Sequence, residues 1–227
     1  MTLVRVKICG LTRIEDVSEA IESGADALGF IFGYRDSPRN LSFARLKDLT
    51  RDVPPYVGVV VVSPDSNPEL PRVIEEVRPS FLQLSSQNGS KLDHVYPNSI
   101  VIGTLHLDKG GNQDGESIIS KGKDLSKDCR GILLDSALIK PKNHSQEGIL
   151  DLGGTGTIHD WNLSRQIRDA LNPFPIILAG GLNYQNVQQA IKTVQPFAVD
   201  VSSGVELSPG IKDKDKVRKF VQNAKAG

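Results

Sequence analysis

Two glycine-bearing segments in the last third of the chain carry residue types that bind small anions. One reads ILAGGL and contains Gly180 and Gly181, and the other reads VDVSSG and ends in Ser202, Ser203 and Gly204. Glycine lets backbone N–H groups approach an anion closely, and serine hydroxyls are further donors. Each segment follows an apolar run and precedes a helical one, whose first N–H groups are unpaired. Either segment alone could be an ordinary turn, but the tandem pair favours a phosphate site and hence a phosphorylated small-molecule substrate.

Two further residues have side chains suited to proton transfer. Cys9 ends the first apolar run and enters a glycine turn before a predicted helix, a setting that lowers a thiol pKa and favours the thiolate. Its alternative role is that of a small buried apolar residue. Asp135 follows the apolar residues 132–134, which could desolvate its carboxyl and raise the pKa toward that of a general acid. Its alternative role is that of a helix cap or turn former.

Eight apolar, β-branched runs alternate with helical segments along the chain. The runs cover residues 3–9, 27–32, 56–62, 81–84, 100–105, 131–135, 176–179 and 198–201. This alternation predicts a parallel sheet, and eight units predict a closed (β/α)8 barrel, the TIM-barrel fold. We expect residues 1–227 to form a single domain, since barrels of about 200–250 residues are one domain. The alternative, an open doubly wound sheet, is less favoured because no Gly-x-Gly-x-x-Gly motif follows the first strand.

Capping residues and spacing indicate where some of the helices lie. Thr12 is the expected N-cap of the first helix, and Glu15 completes a capping box. The segment after the sixth strand, residues 136–159, is long and mixes Pro, Asn, Gly and Ser, so we expect a functional loop. The expected helices cover residues 12–23, 42–51 and 116–123.

A parallel barrel builds its site from the carboxyl ends of its strands and the loops that follow them. This rule selects four side chains for the mouth of the barrel: Cys9, Arg39, Asp135 and Asp200. Arg39 lies in the loop after the second strand, where its alternative role is that of a solvated loop arginine. Asp200 lies late in the eighth strand and could equally be a structural carboxylate.

The composition of the chain indicates which kinds of binding partner to expect. The chain has 38% hydrophobic and 24% charged residues, with 27 basic and 27 acidic side chains, so nothing indicates a nucleic-acid partner. No apolar run approaches the 18 or so residues that span a membrane, and residues 1–7 do not resemble a signal peptide. Cys9 and Cys129 form no metal or disulfide spacing motif. We therefore expect a cytoplasmic protein with no membrane partner.

A set of short motifs, in one order along the chain, resembles the phosphoribosylanthranilate isomerase family of tryptophan biosynthesis. The resemblance covers nearly the whole chain and is weak over residues 85–128. Its motifs are KICGLT (7–12), GADALGF (24–30), SPR (37–39), LLD (133–135), GGTG (153–156), DW (160–161), AGGL (179–182), VDVSSGVE (199–206) and PG (209–210).

The resemblance implies a cofactor-free (β/α)8 barrel that performs an Amadori rearrangement. The family opens the ribose ring of N-(5-phosphoribosyl)anthranilate and shifts a hydrogen to give the 1-deoxyribulose product. It implies that Asp135 is the acid at the furanose oxygen and that Cys9 is the base that removes the C2 proton. The nitrogen of the substrate serves as the electron sink, so neither a metal nor another cofactor is needed.

The resemblance also implies binding roles, and we expect either a monomer or a homodimer. Arg39 would meet the anthranilate carboxylate through a charge-assisted bond, and Asp200 would bind sugar hydroxyls. Gly154 would lie in the loop that covers the ligand, although that loop could also make no contact. The phosphate would lie on the backbone donors of the two glycine-bearing segments.

The chain departs from the family pattern in two places, and two other functions remain open. Residues 83–89 read QLSSQNG where the family usually has Gln-Leu-His-Gly, so the histidine is missing, and the loop after Asp135 is longer than expected. The histidine-pathway isomerase performs the same rearrangement with two aspartates, so Cys9 argues against it. A non-catalytic phosphate-ligand binder would not need both Cys9 and Asp135.

Overall fold

The chain folds into a closed barrel of eight parallel strands, seen in a computed structural model that describes residues 4–85, 99–108, 114–137 and 159–226. Each strand pairs in parallel with the next, and β8 pairs with β1 to close the barrel. The predicted fold is confirmed, and all eight predicted strands are present. The barrel strands are β1 (Arg5–Ile8), β2 (Ala27–Phe32), β3 (Gly58–Pro64), β4 (Phe81–Ser85), β5 (Val101–Asp108), β6 (Gly131–Ala137), β7 (Ile176–Leu178) and β8 (Ala198–Val201).

Seven helices are found among the described residues, and they cover the outside of the barrel. Their apolar faces pack on the outward side chains of the strands, which form one continuous hydrophobic core. No helix in the described part of the chain is long and apolar enough to cross a membrane. The helices are α1 (Ile14–Glu22), α2 (Phe43–Thr50), α3 (Leu70–Glu76), α4 (Gly115–Leu125), α5 (Trp161–Leu171), α6 (Val187–Val194) and α7 (Lys214–Lys225).

The first helix begins differently from the sequence prediction. Its N-cap is Arg13, which makes no side-chain capping bond, so the predicted Thr12–Glu15 capping box is wrong. The Thr12 hydroxyl instead donates to the carbonyl of Gly210, 2.5 Å away. A tertiary contact to the far end of the chain has therefore displaced a local cap. The expected second helix is confirmed, and Ser42 caps it by accepting a bond from the N–H of Arg45.

The inside of the barrel is layered along its axis. Near the amino ends of the strands, an apolar layer is formed by Ile102, Leu133, Ile177 and Ala198. Successive side chains on a strand point to opposite faces, so every second residue faces the interior. Further along the strands, buried polar side chains such as Lys7, Gln83 and Asp200 appear beside a second apolar cluster that contains Ile31 and Val62. The barrel interior therefore changes from apolar to mixed toward the carboxyl ends.

Three short strands complete the mouth. Asn40–Leu41 pairs with the end of β2. Glu206–Ser208 and Ile211–Lys212 form an antiparallel pair directly after β8. These additions bring the loop that contains Arg39 against the hairpin that contains Glu206, which the strand and helix predictions did not include.

Candidate active site

A cavity of about 80 Å³ opens at the carboxyl ends of the strands, and we call it the mouth cavity. Eight of the ten side chains or glycines selected from the sequence line it. They come from β1, β6, β7 and β8 and the loops after these strands. They are Cys9, Asp135, Gly180, Gly181, Asp200, Ser202, Ser203 and Gly204.

Cys9 lies directly after β1, where its backbone N–H donates to the carbonyl of Val201 at 2.8 Å. Its side chain packs against Gly29 of β2, where an added Cβ would lie 2.7 Å from the sulfur. Burial raises the pKa of the Cys9 thiol, while the neighbouring Lys7 ammonium acts in the opposite direction. The expectation of a lowered thiol pKa is therefore wrong, because the desolvation of the sulfur outweighs its favourable neighbours.

A buried cation lies behind the mouth cavity, bound to two of the residues that line it, and its side chain lines the cavity at the amino end of the barrel. The ammonium of Lys7 donates to Gln83 Oε1 at 2.6 Å and to Asp200 Oδ2 at 2.9 Å, and all three residues are buried. The other carboxylate oxygen of Asp200, Oδ1, is buried without a hydrogen-bond partner among the described residues. Because a buried acceptor without a donor is unfavourable, this oxygen is a ready acceptor for a ligand hydroxyl.

Asp135 is held at the end of β6 by its neighbours. Its Oδ1 accepts a bond from the N–H of Ser136 at 2.8 Å. The hydroxyl of Ser136 lies 2.9 Å from Nδ1 of His159, and Nε2 of that ring lies 2.7 Å from the hydroxyl of Ser164. Burial lowers the pKa of His159 to about 4, so the imidazole is neutral near pH 7. This chain of bonds ties the strand end that carries Asp135 to helix α5.

The two glycine-bearing loops close tightly on neighbouring backbone. Gly180 and Gly181 have φ angles of +76° and +69°, in the left-handed region that favours glycine. A Cβ at Gly180 would lie 2.7 Å from the N–H nitrogen of Ser136, and one at Gly204 would collide with the carbonyl of Leu182. At these two glycines the loops therefore pack against neighbouring backbone more closely than a residue with a side chain would allow.

Arg39 is not among the residues that line the mouth cavity, although it lies beside them. Its guanidinium is buried and binds Glu206 through two bonds of 2.8 Å and 2.6 Å. A Cβ on Gly10 would lie 2.6 Å from the Arg39 stem and 2.8 Å from the Ser202 hydroxyl, so the two side chains flank the turn after Cys9. The alternative role of a solvated loop arginine is wrong.

Glu206 joins Arg39 to a second buried cation. The ammonium of Lys212 lies 2.8 Å from Glu206 Oε1 and donates to the carbonyl of Ser202 at 3.1 Å. Burial would raise the pKa of Glu206, but its bonds to Arg39 and the charge of Lys212 outweigh burial and lower the pKa. Two cations thus share one carboxylate behind the loop of Ser202, which leaves a local excess of positive charge that suits an anion.

Sequence reasoning missed several of these residues. The sequence pattern did not indicate that Lys7, Glu206 and Lys212 lie close to the site. His159 falls in a segment that was predicted to be a loop. His106 is a further, partly buried histidine in register with Asp135. Its two ring nitrogens are buried and have no hydrogen-bond partner in the described part of the chain.

Some of the sequence predictions cannot be placed. Gly154 lies outside the described residues. Ser85, where the family histidine was expected, ends strand β4. Within the described residues, no group of three or more His, Cys, Asp or Glu side chains could hold a metal ion.

A larger cavity of about 520 Å³ lies at the opposite, amino end of the barrel. It is lined mainly by apolar side chains, together with the charged residues Arg5, Lys7, Asp26 and Arg130, and by none of the predicted site residues that the structure describes. Since parallel barrels place their chemistry at the carboxyl ends of the strands, the mouth cavity is the better candidate.

Residues 6–223 match the model of the N-(5'-phosphoribosyl)anthranilate (PRA) isomerase family. The chain belongs to this family. A relative from Methanocella arvoryzae, named N-(5'-phosphoribosyl)anthranilate isomerase, is 37% identical over 228 residues, which cover 98% of this chain and 99% of the relative. A relative of the same name from Bordetella avium is also 37% identical, over 97% of this chain and 95% of its own length. The family resemblance read from the motifs is confirmed.

Solved structures of the isomerase family agree with this assignment. Phosphoribosyl anthranilate isomerase from Thermotoga maritima matches 99% of this chain and 100% of its own, with a TM-score of 0.82 and 36% identity. A second isomerase structure contains reduced 1-(o-carboxyphenylamino)-1-deoxyribulose 5-phosphate. It matches with a TM-score of 0.79 and 34% identity, over 99% of this chain and 100% of that one.

Proposed function

We propose that this chain converts N-(5'-phosphoribosyl)anthranilate to 1-(2-carboxyphenylamino)-1-deoxyribulose 5-phosphate, a step of tryptophan biosynthesis. The observation that carries the proposal is that Cys9, Asp135 and both glycine-bearing loops line one cavity. A thiol, a carboxyl group and an anion-binding backbone are the groups that an acid–base rearrangement of a phosphosugar requires. The family match over nearly the whole chain supports the same reaction.

Asp135 is the proposed general acid for ring opening. Its carboxyl donates a proton to the furanose oxygen, the bond from that oxygen to C1 breaks, and the nitrogen lone pair completes an iminium. The iminium makes the proton on C2 acidic. The bonds that run through Ser136 and His159 fix the backbone at this strand end, so that the carboxyl keeps its place at the mouth cavity.

Cys9 is the proposed general base. Its thiolate accepts the C2 proton, and the electron pair of that C–H bond moves into the iminium to give an enolamine, which then becomes the ketone. Cys9 and Asp135 stand three strands apart around the barrel, on β1 and β6. This separation lets one group act at C2 while the other acts at the ring oxygen.

The remaining predicted residues are proposed to hold the substrate. The phosphate lies on backbone N–H groups of the loops of Gly180, Gly181, Ser202, Ser203 and Gly204. The unpartnered Asp200 Oδ1 accepts a sugar hydroxyl. Arg39, held by Glu206 beside the turn after Cys9, binds the anthranilate carboxylate. Gly154 remains a predicted residue of the covering loop.

The state of assembly and the location of the protein stay predictions. We propose a monomer or a homodimer, with each barrel containing its own complete mouth cavity. We also propose that the protein acts in the cytoplasm.

The direct test is to add the purified chain to fluorescent phosphoribosylanthranilate and follow the loss of fluorescence. Rapid loss supports the proposal. A parallel assay uses the phosphoribosyl aminoaldose that the histidine-pathway isomerase rearranges. Turnover of that compound alone would favour the histidine-pathway reading, and binding of both compounds without turnover would favour a phosphate-ligand binder.

A further inference from the structure

Lys7 is a buried cation to which the proposed reaction assigns no role. Its side chain is 6% exposed, and its ammonium is held between Gln83 on β4 and Asp200 on β8. A lysine gives up favourable hydration when it is buried, so its charge must be retained by specific partners. Burial acts to lower the pKa of Lys7, but Asp200 and Cys9 outweigh it and the pKa is raised. Lys7 is therefore a permanent positive charge inside the barrel.

This charge lies beside the proposed base. Lys7 lies on β1 and Cys9 directly after it, two residues further along the same extended segment, so both side chains face the barrel interior. A Cβ on Gly29 of the adjacent strand would lie 2.7 Å from the Cys9 sulfur and 2.9 Å from Cε of Lys7. The same small residue is thus touched by both side chains. The absence of a side chain at Gly29 leaves space that the end of the Lys7 stem and the Cys9 sulfur share.

We propose that Lys7 is the positioning residue of the base: its fixed ammonium stabilises the thiolate of Cys9 and orients the sulfur toward the substrate. The proposal rests on the assignment of Cys9 as the general base. In the step itself the thiolate takes the C2 proton and becomes a thiol, while Lys7 keeps its protons throughout. Gln83 and Asp200 hold the ammonium so that it cannot turn away from the sulfur.

The charges around the sulfur favour this role for Lys7 over its neighbours. Among the described residues, the charged groups that act on Cys9 are Lys7 on β1, Asp200 on β8 and Lys212 of the hairpin after β8. Burial raises the thiol pKa most, Lys7 is the strongest influence that lowers it, and Asp200 and Lys212 follow with smaller, opposite effects. If Lys7 is removed, the thiolate of Cys9 therefore faces the buried carboxylate of Asp200, and only Lys212 remains to offset that negative charge.

The test measures the ionisation of Cys9 without substrate. All variants carry Cys129→Ser, so that Cys9 is the only thiol, and the titration is followed by thiolate absorbance and by the rate of alkylation with iodoacetamide. Lys7→Met keeps the length of the stem and removes the charge. We expect the midpoint of the Cys9 titration to rise by about one pH unit or more. The thiolate fraction, and with it kcat/KM at pH 7, should fall at least about tenfold and recover as the pH rises.

Two further variants make the result decisive. Lys225→Met removes a lysine that pairs with Asp26 at the amino end of the barrel, and it should leave the Cys9 titration unchanged. If Lys7→Met fails to fold, Lys7→Met with Asp200→Asn removes both buried charges. Its midpoint should still lie above that of the parent, because the end of the Lys7 stem and the Cys9 sulfur lie against the same point of Gly29, whereas Asp200 binds the ammonium.

The proposal is overturned if Lys7→Met, or the double variant where it must be used, titrates like the parent. It is also overturned if Lys7→Met loses kcat/KM equally at every pH, which is the result of a purely structural role. Failure of the parent to turn over phosphoribosylanthranilate would instead count against the proposed function. The titration of Cys9 would still be readable in that case, so the two failures are distinguishable.

Discussion

The buried carboxylate of Glu206 should be a major determinant of stability, and Glu206→Gln tests this directly. The side chain is 5% exposed and receives bonds from both Arg39 and Lys212. The glutamine variant keeps the shape but removes the negative charge. Two buried cations then lie close together with no counterion, and such a loss costs about 3–5 kcal/mol when one partner of a buried pair is removed.

This free energy translates into a large change of melting temperature. For a chain of 150–250 residues each kcal/mol shifts Tm by about 2–4 °C, so Glu206→Gln should melt about 6–20 °C below the parent at pH 7. The difference should depend on pH. Because the pKa of Glu206 is lowered in the folded state, its contribution is present above the unfolded-state pKa of about 4.3 and is lost as the pH falls through the folded pKa.

Glu76 provides a matched control. It also accepts bonds from one lysine and one arginine, Lys47 and Arg72, both at 2.9 Å, but this cluster lies at the surface. Since solvent screens exposed ion pairs, Glu76→Gln should leave Tm unchanged within error. Equal Tm values for Glu206→Gln and Glu76→Gln would refute the argument that the buried network stabilises the mouth of the barrel.

Three further predictions concern the reaction, each measured by steady-state kinetics on phosphoribosylanthranilate. Cys9→Ala should lower kcat by at least about 10², because the base is lost, whereas Cys129→Ala should keep near-normal turnover. Equal kcat values for the two variants would show that the Cys9 thiol has no part in the mechanism. Gly181→Val, at a φ of +69°, should mainly raise KM by blocking approach of the phosphate, and an unchanged KM would move the phosphate elsewhere. Asp135→Asn keeps the shape of the side chain but has no transferable proton, so kcat should collapse while the substrate still binds. Retained turnover would make Asp200 the next candidate for the acid.

The strands and their order were predictable because their signals are local. Each barrel strand is a short β-branched run bounded by glycine or polar residues, and eight such runs in alternation with helices leave few topologies. The starts of helices were less predictable. At Thr12 the local capping signal was overridden, because the hydroxyl found a carbonyl almost 200 residues away, at Gly210, as its acceptor.

The candidate site also has a part that was predictable from the sequence and a part that was not. The rule that strand ends meet at the mouth of a barrel selected Cys9, Asp135 and Asp200, which line one cavity, and Arg39, which lies beside it. The glycine-bearing loops were selected by their anion-binding residues, and they line the same cavity. The partners of these residues were not predictable from spacing. Whether a charged residue such as Lys212 faces solvent or a buried carboxylate depends on the path of the hairpin after β8, which no period in the sequence specifies.

Closure of the barrel also assembles the candidate site, because residues from the first and last strands meet there. Lys7 and Asp200 are 193 residues apart in sequence, yet they are register partners in the pairing of β1 with β8. The same pairing continues one residue further, where the N–H of Cys9 donates to the carbonyl of Val201. Pairing of the first and last strands therefore brings the proposed base, its cation and the phosphate loop together in one event. In a chain whose last strand had not docked, Cys9 would lack its bond to Val201 and Lys7 would lack its bond to Asp200, so neither side chain would be fixed at the site.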